Sequence, residues 1–351
     1  MTQTELAGRL GLTHKTINEI IRGKAPLTHK TALGLETVLG IPAGFWNAYE
    51  TGYRESLTRK EVAEKLAAHV HWLTNIPWKK AVDKGWLRHH ASSTAQLMEV
   101  LRFFGVASPK QYDEVYGNLA LHWKRSEKFP IDVGATTFWL RRGELQAAEL
   151  TLNLNIQWND YEPREFEQCL IQIRALTSDR EPSSFVPELQ RICARAGVAV
   201  VFVPEIDGTH AGGVARWLSP VRALIQLSLR YKTNDHLWFY FFHEAGHILK
   251  HSKKRLFLEQ DGRDKDEQER EADEFAQNIL IPPREYVAFC NEGKPTKAGV
   301  EAFALRIGVD PGVVVGRLQN DHVIERNWFN DLRQRYQWMF VSGEGDSDSL
   351  L

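Results

Sequence analysis

Apolar positions near the start of the chain recur every three or four residues in short runs, which is the spacing of short helices. Gly11, Gly23 and Gly40 each follow such a run, where the end of a helix favours a residue that accepts a positive φ. A longer amphipathic run follows at Leu57–Leu73. The pattern predicts an all-α N-terminal domain over residues 1–56, followed by a connecting helix.

Residues 57–180 keep the helical spacing and show no period of two, which predicts a helical middle region. The pattern then changes, because Gly197–Glu205 is a β-branched run between glycine and proline, as in a buried strand. Two more strands are expected at 211–218 and at Arg222–Leu229. We expect the last of them to be an edge strand, on which an extended peptide could pair.

Helical runs resume after these strands. Leu237–His251 is apolar on nearly every side, so the helix expected there is buried. Another helix is expected at about Glu267–Leu280, where Pro282 stops it. A compact helical piece is expected at Thr296–Gln319, and a final amphipathic helix near Val323–Trp338. The sequence thus predicts a multidomain, mainly α fold.

The C-terminal domain is expected to span residues 181–341, with a small sheet, an α+β core and a helical C-terminal extension. Residues 342–351 read as an acidic tail.

Composition restricts the class of protein. Hydrophobic residues make up 43% of the chain and charged residues 25%, as in ordinary globular proteins. No apolar run approaches the length of a membrane span, and no secretory signal is visible. The three cysteines are scattered, which suits a reducing compartment. We therefore expect a cytoplasmic protein without a membrane partner.

The N-terminal pattern fits a helix–turn–helix that reads DNA. Ala7 lies where the first helix must be small, and Gly11 lies in the turn. The second helix, Thr13 to Arg22, would be the recognition helix. The residues expected to face DNA are Thr13, His14, Lys15 and Asn18, with Gln3 on a phosphate. The alternative is a helical pair used only for packing or dimerisation.

A second motif, H-E-x-x-H, is formed by His243, Glu244 and His247. Histidines four residues apart share one helix face, so both rings can reach one zinc ion. Glu244 is placed to take a proton from the attacking water and return it to the leaving amine, as a catalytic residue.

A hydrolytic zinc site also needs a third protein ligand. Glu269 and Asp273 have the same spacing on the next helix, so we assign Glu269 as that ligand. Asp273 would orient a histidine ligand, His243, through its other ring nitrogen. Glu271 is the alternative third ligand. The run 259–274 holds nine acids against three bases, so a solvated helix face is the competing interpretation.

Three nearby residues each have two possible roles. Arg230 and Tyr231, between the last strand and the zinc helix, could bind substrate or stabilise an oxyanion, or could pack at the rim. His251 lies one turn beyond His247 and is placed at the surface or behind the ligands.

Residues Thr2–Trp46, with "TQTELAGRLG" and "GKAPLTHKTALGLETVLGIPAGFW", resemble XRE-type regulators and HigA-like antitoxins of toxin–antitoxin systems. The resemblance implies binding to operator DNA, as a dimer. Such regulators usually carry another helix before the one at Gln3; either this sequence starts after that helix, or this domain lacks its first helix.

The stretches "FHEAGHILKH" and "EREADEFAQNILIP" resemble the ImmA/IrrE metallopeptidase family, a likeness that runs from about Val198 to Pro283. It implies a zincin-like core, a Zn²⁺ cofactor, and a bacterial stress-response or mobile-element regulator whose relatives cut a repressor.

Two hypotheses follow. The first is a transcriptional regulator fused to a zinc metallo-endopeptidase that cleaves a repressor-like protein. The alternative is an antitoxin-like DNA-binding protein whose zinc domain senses or binds a partner without proteolysis. Glu244 favours the first, since a binding scaffold needs no general base between its histidines.

Overall fold

The computed structural model describes residues 1–123, 132–153, 156–251, 257–260, 267–339 and 349–350. The chain divides into two compact units: Met1–Trp72 with His90–Met98, and Leu73–His89 with Glu99–Leu351. Among the described residues, no helix has the length and apolar character that crossing a lipid bilayer requires.

The first unit contains a helix–turn–helix at its start. Its helices are α1 Gln3–Leu10, α2 His14–Ile21, α3 His29–Leu39 and α4 Ala43–Ala67. Thr2 caps α1 through a reciprocal pair of hydrogen bonds with Glu5. Gly11 adopts φ 64° and turns the chain into α2, while Ala7 and Ile17 are buried between the helices. The predicted all-α N-terminus is confirmed.

Helix α4 differs from the sequence expectation. It begins at Ala43, well before the expected start at Leu57, and ends at Ala67, where the 3₁₀ helix Val70–Asn75 follows. Gly52 lowers helix propensity in the middle of this run and obscured the continuity of the pattern. The connecting helix is therefore the second half of α4.

The remaining helices belong wholly or partly to the second unit. They are α5 Trp78–Asp83, α6 Ser93–Phe104, α7 Pro109–Trp123, α8 Val133–Asn153, α9 Pro163–Leu176, α10 Pro182–Arg195, α11 Asn234–Lys250, α12 Glu267–Leu280, α13 Pro283–Asn291, α14 Lys297–Ile307 and α15 Pro311–Asn320. A short 3₁₀ helix, Asn330–Leu332, follows them.

One four-stranded sheet, in the order β1-β3-β2-β4, organises the second unit. Its strands are β1 Val198–Phe202, β2 Ala211–Ser219, β3 Arg222–Leu227 and β4 Phe257–Gln260. β1 runs parallel to β3, and the other pairs are antiparallel. The expectation that Arg222–Leu229 is an edge strand is wrong, because β3 lies between β1 and β2.

The two faces of this sheet are both covered. Val198, Val200 and Phe202 of β1 pack into a core formed with helices α9 to α15. The alternate residues Ala199 and Val201 pack into a second core with Trp139 and Leu140 of α8. Burial on both faces explains why β1 is a continuous apolar run. The core of the sheet thus includes α8 and α9, which lie before residue 181.

The end of the chain differs from the expected helix at Val323–Trp338. This segment is irregular apart from Asn330–Leu332 and the strand β5 Trp338–Met339. His322 and Phe329 have φ of 57° and 58°, left-handed values that a helix cannot continue through. Of the expected acidic tail, only β6, Ser349–Leu350, is described, paired with β5; the rest lies outside the described residues.

Candidate metal centre

Helix α11 carries the two histidines of the H-E-x-x-H motif in the interior of the second unit. The side chains of His243 and His247 are 0% and 1% exposed, and Glu244 is also fully buried. The Nε2 atoms of the two histidines lie 3.0 Å apart. Both rings therefore present a nitrogen to one point on the helix face, as the spacing predicts.

Helix α12 packs closely against α11 because Gly246 has no side chain. A Cβ at Gly246 would lie 3.3 Å from the Cα of Ala272 and 3.1 Å from the Phe275 ring. This close approach brings the first two turns of α12 to the histidines. Oε2 of Glu269 lies 3.2 Å from Nε2 of His243, and its Oε1 lies 3.6 Å from Nε2 of His247.

These three side chains fit a metal ion. Their ligand atoms all lie within 4.8 Å of one another. A tetrahedral ion with bonds of about 2.0–2.1 Å separates neighbouring ligand atoms by about 3.3 Å. The three observed distances, 3.0, 3.2 and 3.6 Å, scatter around that value. Two imidazoles and one carboxylate are also a donor set that zinc accepts.

The protonation states suit metal binding. Burial raises the pKa of the Glu269 carboxyl, but its contacts with the His243 and His247 rings outweigh burial and hold that pKa well below its usual range. Burial lowers the pKa of the His247 ring, which keeps the ring neutral near pH 7. A carboxylate and a neutral imidazole are the ligating forms.

Asp273 lies behind His243, with Oδ1 3.0 Å from Nδ1 of the ring. A proton on Nδ1 donates to this carboxylate and leaves the lone pair of Nε2 pointing at the cluster. The structure thus places Asp273 where it can orient His243.

A second chain of contacts lies behind His247. Nδ1 of His247 is 2.8 Å from Nδ1 of His251, and Nε2 of His251 is 2.9 Å from Oε2 of Glu271. The His251 side chain is 2% exposed, so a surface position is wrong for it. Glu271 contacts this histidine and is not among the three clustered ligands. The repeated spacing of four residues from His243 to His251 was the available signal for this arrangement.

Removing the His251 ring should weaken metal binding. In His251→Ala, Nδ1–H of His247 loses its hydrogen-bond acceptor, so we expect zinc affinity to fall by about 10–100-fold. Competition with a chromogenic chelator measures this loss. His236→Ala is the matched control, since His236 also lies on α11 but two turns before His243. Equal zinc affinity of His251→Ala and wild type would contradict the assignment.

Glu244 lies on the side of α11 that faces strand β2. A Cβ added to Gly213 of β2 would lie 2.8 Å from Oε1 and 2.9 Å from Cγ of Glu244. The glycine therefore leaves the space that the Glu244 carboxylate occupies. Glu244 follows His243 directly on α11 and is not one of the three clustered ligand residues.

Comparison with known families agrees with both motifs. Residues 193–319 match the model of the IrrE N-terminal-like domain, the peptidase M78 family, and residues 1–46 match a helix-turn-helix family. The chain joins an IrrE-like domain to a helix–turn–helix. No curated protein matches the chain. The IrrE-like domain is of metallopeptidase type and contains the whole His243, His247 and Glu269 cluster.

Arg230 and Tyr231 lie in the IrrE-like domain at the rim of a cavity that also reaches Asp273. The Arg230 guanidinium is 3.9 Å from Glu205 and covers the ring of Tyr231. The Tyr231 ring packs on His236, with centroids 4.3 Å apart. Both side chains are therefore held at the rim at least in part by packing against neighbouring residues.

The helix–turn–helix presents most of the residues expected to face DNA. Gln3 lies at the first position of α1, and His14 and Lys15 lie at the start of α2; all three are exposed. Asn18 is half-buried. The hydroxyl of Thr13 accepts a hydrogen bond from the Thr16 backbone at 3.1 Å and so serves as the α2 N-cap.

Proposed function

We propose that this protein is a cytoplasmic, DNA-binding transcriptional regulator fused to a zinc-dependent endopeptidase that cleaves a regulatory protein such as a repressor. One observation carries the proposal: a buried glutamate, Glu244, lies beside two histidines whose ligand atoms converge with those of Glu269. A site that only held a metal would not require that carboxylate.

The roles of the side chains follow from their positions. His243, His247 and Glu269 would hold the zinc ion, which when bound supplies a Lewis acid for peptide hydrolysis. Glu244 takes a proton from the attacking water and gives it to the leaving amine. Asp273 and His251 keep the two imidazoles in the tautomer that binds metal. Arg230 and Tyr231 are placed to contact substrate at the rim.

Cleavage of repressor proteins tests the peptidase part. The full chain, loaded with zinc, is incubated with helix–turn–helix repressors encoded near its own gene, and new termini are identified by mass spectrometry. We expect specific cleavage that a chelator abolishes and added zinc restores. A zinc-loaded protein that leaves these repressors and unfolded casein intact would instead support a sensor or partner-binding module.

The helix–turn–helix half of the proposal predicts binding to operator DNA, as a dimer. Lys15→Ala should weaken binding to its own promoter at every sequence and reduce the salt dependence by about one counterion. Lys60→Ala is a matched control, because Lys15 and Lys60 are both exposed and both lie 3.9 Å from a glutamate four residues later.

Gel-shift titrations over a range of salt concentrations measure this difference. A Lys15→Ala protein with the affinity and salt slope of Lys60→Ala would show that α2 does not face the phosphates. It would then favour a packing or dimerisation role for this helix pair.

A further inference from the structure

A cavity of about 840 Å³ opens beside the metal cluster, within the second unit. Its walls come from α11, α12, α15 and the irregular segment after α15. Asp273, which contacts His243, is one of its lining residues. The cavity therefore begins immediately behind a metal-ligating histidine.

The seam between α11 and α12 connects the cavity to the cluster. His236, Phe239 and Tyr240 line it from α11 and share a face with His243, at intervals of three, four and seven residues. Asp273 and Gln277 line it from α12 and share a face with Glu269. A peptide extending away from the metal along this seam would place its next side chains in the cavity.

The lining carries excess positive charge. Four arginines face two aspartates: Arg230, Arg317, Arg326 and Arg333, against Asp235 and Asp273. Asp235 is already paired with Arg333, whose Nη2 lies 2.6 Å from Oδ2. Arg230 and Arg317 have their acidic partners, Glu205 and Asp321, outside the lining of the cavity.

Two of these arginines have guanidinium donors to offer. Arg317 binds Asp321 through Nε at 2.6 Å, and its terminal nitrogens form no hydrogen bond with a residue that the structure describes. The exposed side chain of Arg326 forms no ion pair with any residue that the structure describes. Guanidinium groups recognise carboxylates through paired hydrogen bonds.

The floor of the cavity is apolar. Leu280, Ile281 and Val313 are buried and line it, together with Gly316. An apolar floor with a few placed polar groups is typical of ligand sites. The site therefore fits an apolar side chain next to a carboxylate.

We propose that this cavity is a substrate-specificity site, which binds a carboxylate of the peptide substrate, flanked by an apolar residue, beside the bond to be cleaved. Arg317 and Arg326 bind the carboxylate, and Leu280, Ile281 and Val313 receive the apolar neighbour. This inference rests on the proposed peptidase function, because it places the substrate chain along the seam next to the metal cluster.

Peptide binding tests the inference without relying on cleavage. Zinc-loaded Glu244→Gln protein is titrated with two pools of fluorescent hexapeptides that share random flanks and a central Leu-Glu or Leu-Gln. Each pool is prepared with a C-terminal amide and with a free C-terminus. We expect the Leu-Glu amide pool to bind about tenfold more tightly, since a charged hydrogen bond is lost in the Gln pool.

Charge reversal on the cavity wall provides the second arm. Arg326→Glu, in the same background, should abolish the preference for Leu-Glu. Arg284→Glu should keep it, because Arg284 is also exposed, on α13, but does not line the cavity. Tighter binding of Leu-Glu than of Leu-Gln among the amide pools identifies a side-chain carboxylate, while tighter binding of both free-acid pools than of both amide pools identifies the terminal carboxylate.

Equal binding of all four pools, or a preference that survives Arg326→Glu, would overturn the inference. If wild type cleaves proteins but its binding shows no carboxylate preference, the cavity assignment fails and the peptidase stands. If the protein prefers the carboxylate peptides but cleaves no protein, the cavity assignment is supported and the proposed peptidase function is rejected.

Discussion

Replacing Glu244 with glutamine is expected to lower kcat for peptide hydrolysis by about 10²- to 10⁴-fold, the range that general acid–base catalysis contributes. Glutamine has the same shape, so it fits the space beside Gly213, but its amide cannot take a proton from water. Because Glu244 is not one of the three clustered ligands, the variant should bind zinc as wild type does.

Three measurements distinguish a variant that has lost only the general base from one that has lost the zinc site or the fold. Zinc content, thermal unfolding and cleavage rate are compared for wild type, Glu244→Gln and Glu274→Gln. Glu274 is an exposed carboxylate on α12 and is a control for the change of charge. A Glu244→Gln protein that cleaves its substrate at the wild-type rate would disprove the catalytic role and leave the metal structural or sensory.

The elements that carry the site could be predicted because local spacing determines them. His243 and His247 share a face of α11, and Glu269 and Asp273 share a face of α12, since residues four apart lie one turn apart in any helix. That the two faces meet depends on a long-range contact at Gly246. The sequence contains that glycine, but the residues around it do not show which helix packs against it.

Most of what sequence analysis missed is also long-range. Neither the interior position of β3 nor the packing of α8 on the sheet has a local signature. The peptide carbonyl of Trp139 in α8 accepts a hydrogen bond from Gln226 of β3 at 2.7 Å, across 87 residues of chain. Helical spacing indicated that α8 is a helix but not which surface it covers.

The irregular segment after α15 illustrates a different limit. Its apolar spacing suits a helix, yet tertiary contacts hold it in another conformation. Arg333 reaches back to Asp235, Thr233 and His236 at the start of α11, a set of contacts that a helix over Val323–Trp338 would not make. Tertiary context overrides local propensity in such a segment.

The sequence alone left open whether Glu269 or Glu271 is the third ligand. Replacing the true ligand should have a large effect on both zinc affinity and activity. Glu269→Gln should lose zinc and activity together, because an amide oxygen replaces an anionic ligand whose two oxygens lie 3.2 and 3.6 Å from the histidine nitrogens. We expect zinc affinity to fall by more than the roughly 10–100-fold that outer partners contribute.

Glu271→Gln is the matched variant, since it makes the same change two residues away on α12. The Glu271 oxygen contacts His251, and the amide oxygen of glutamine can still accept that hydrogen bond. Zinc affinity should therefore change by only a few-fold, well under the effect at Glu269. Chelator competition and the cleavage rate of both variants decide between them. If Glu271→Gln loses the metal while Glu269→Gln keeps it, Glu271 is the third ligand and Glu269 is not. Glu271 would then no longer be the carboxylate that ends the hydrogen-bonded chain from His247 through His251.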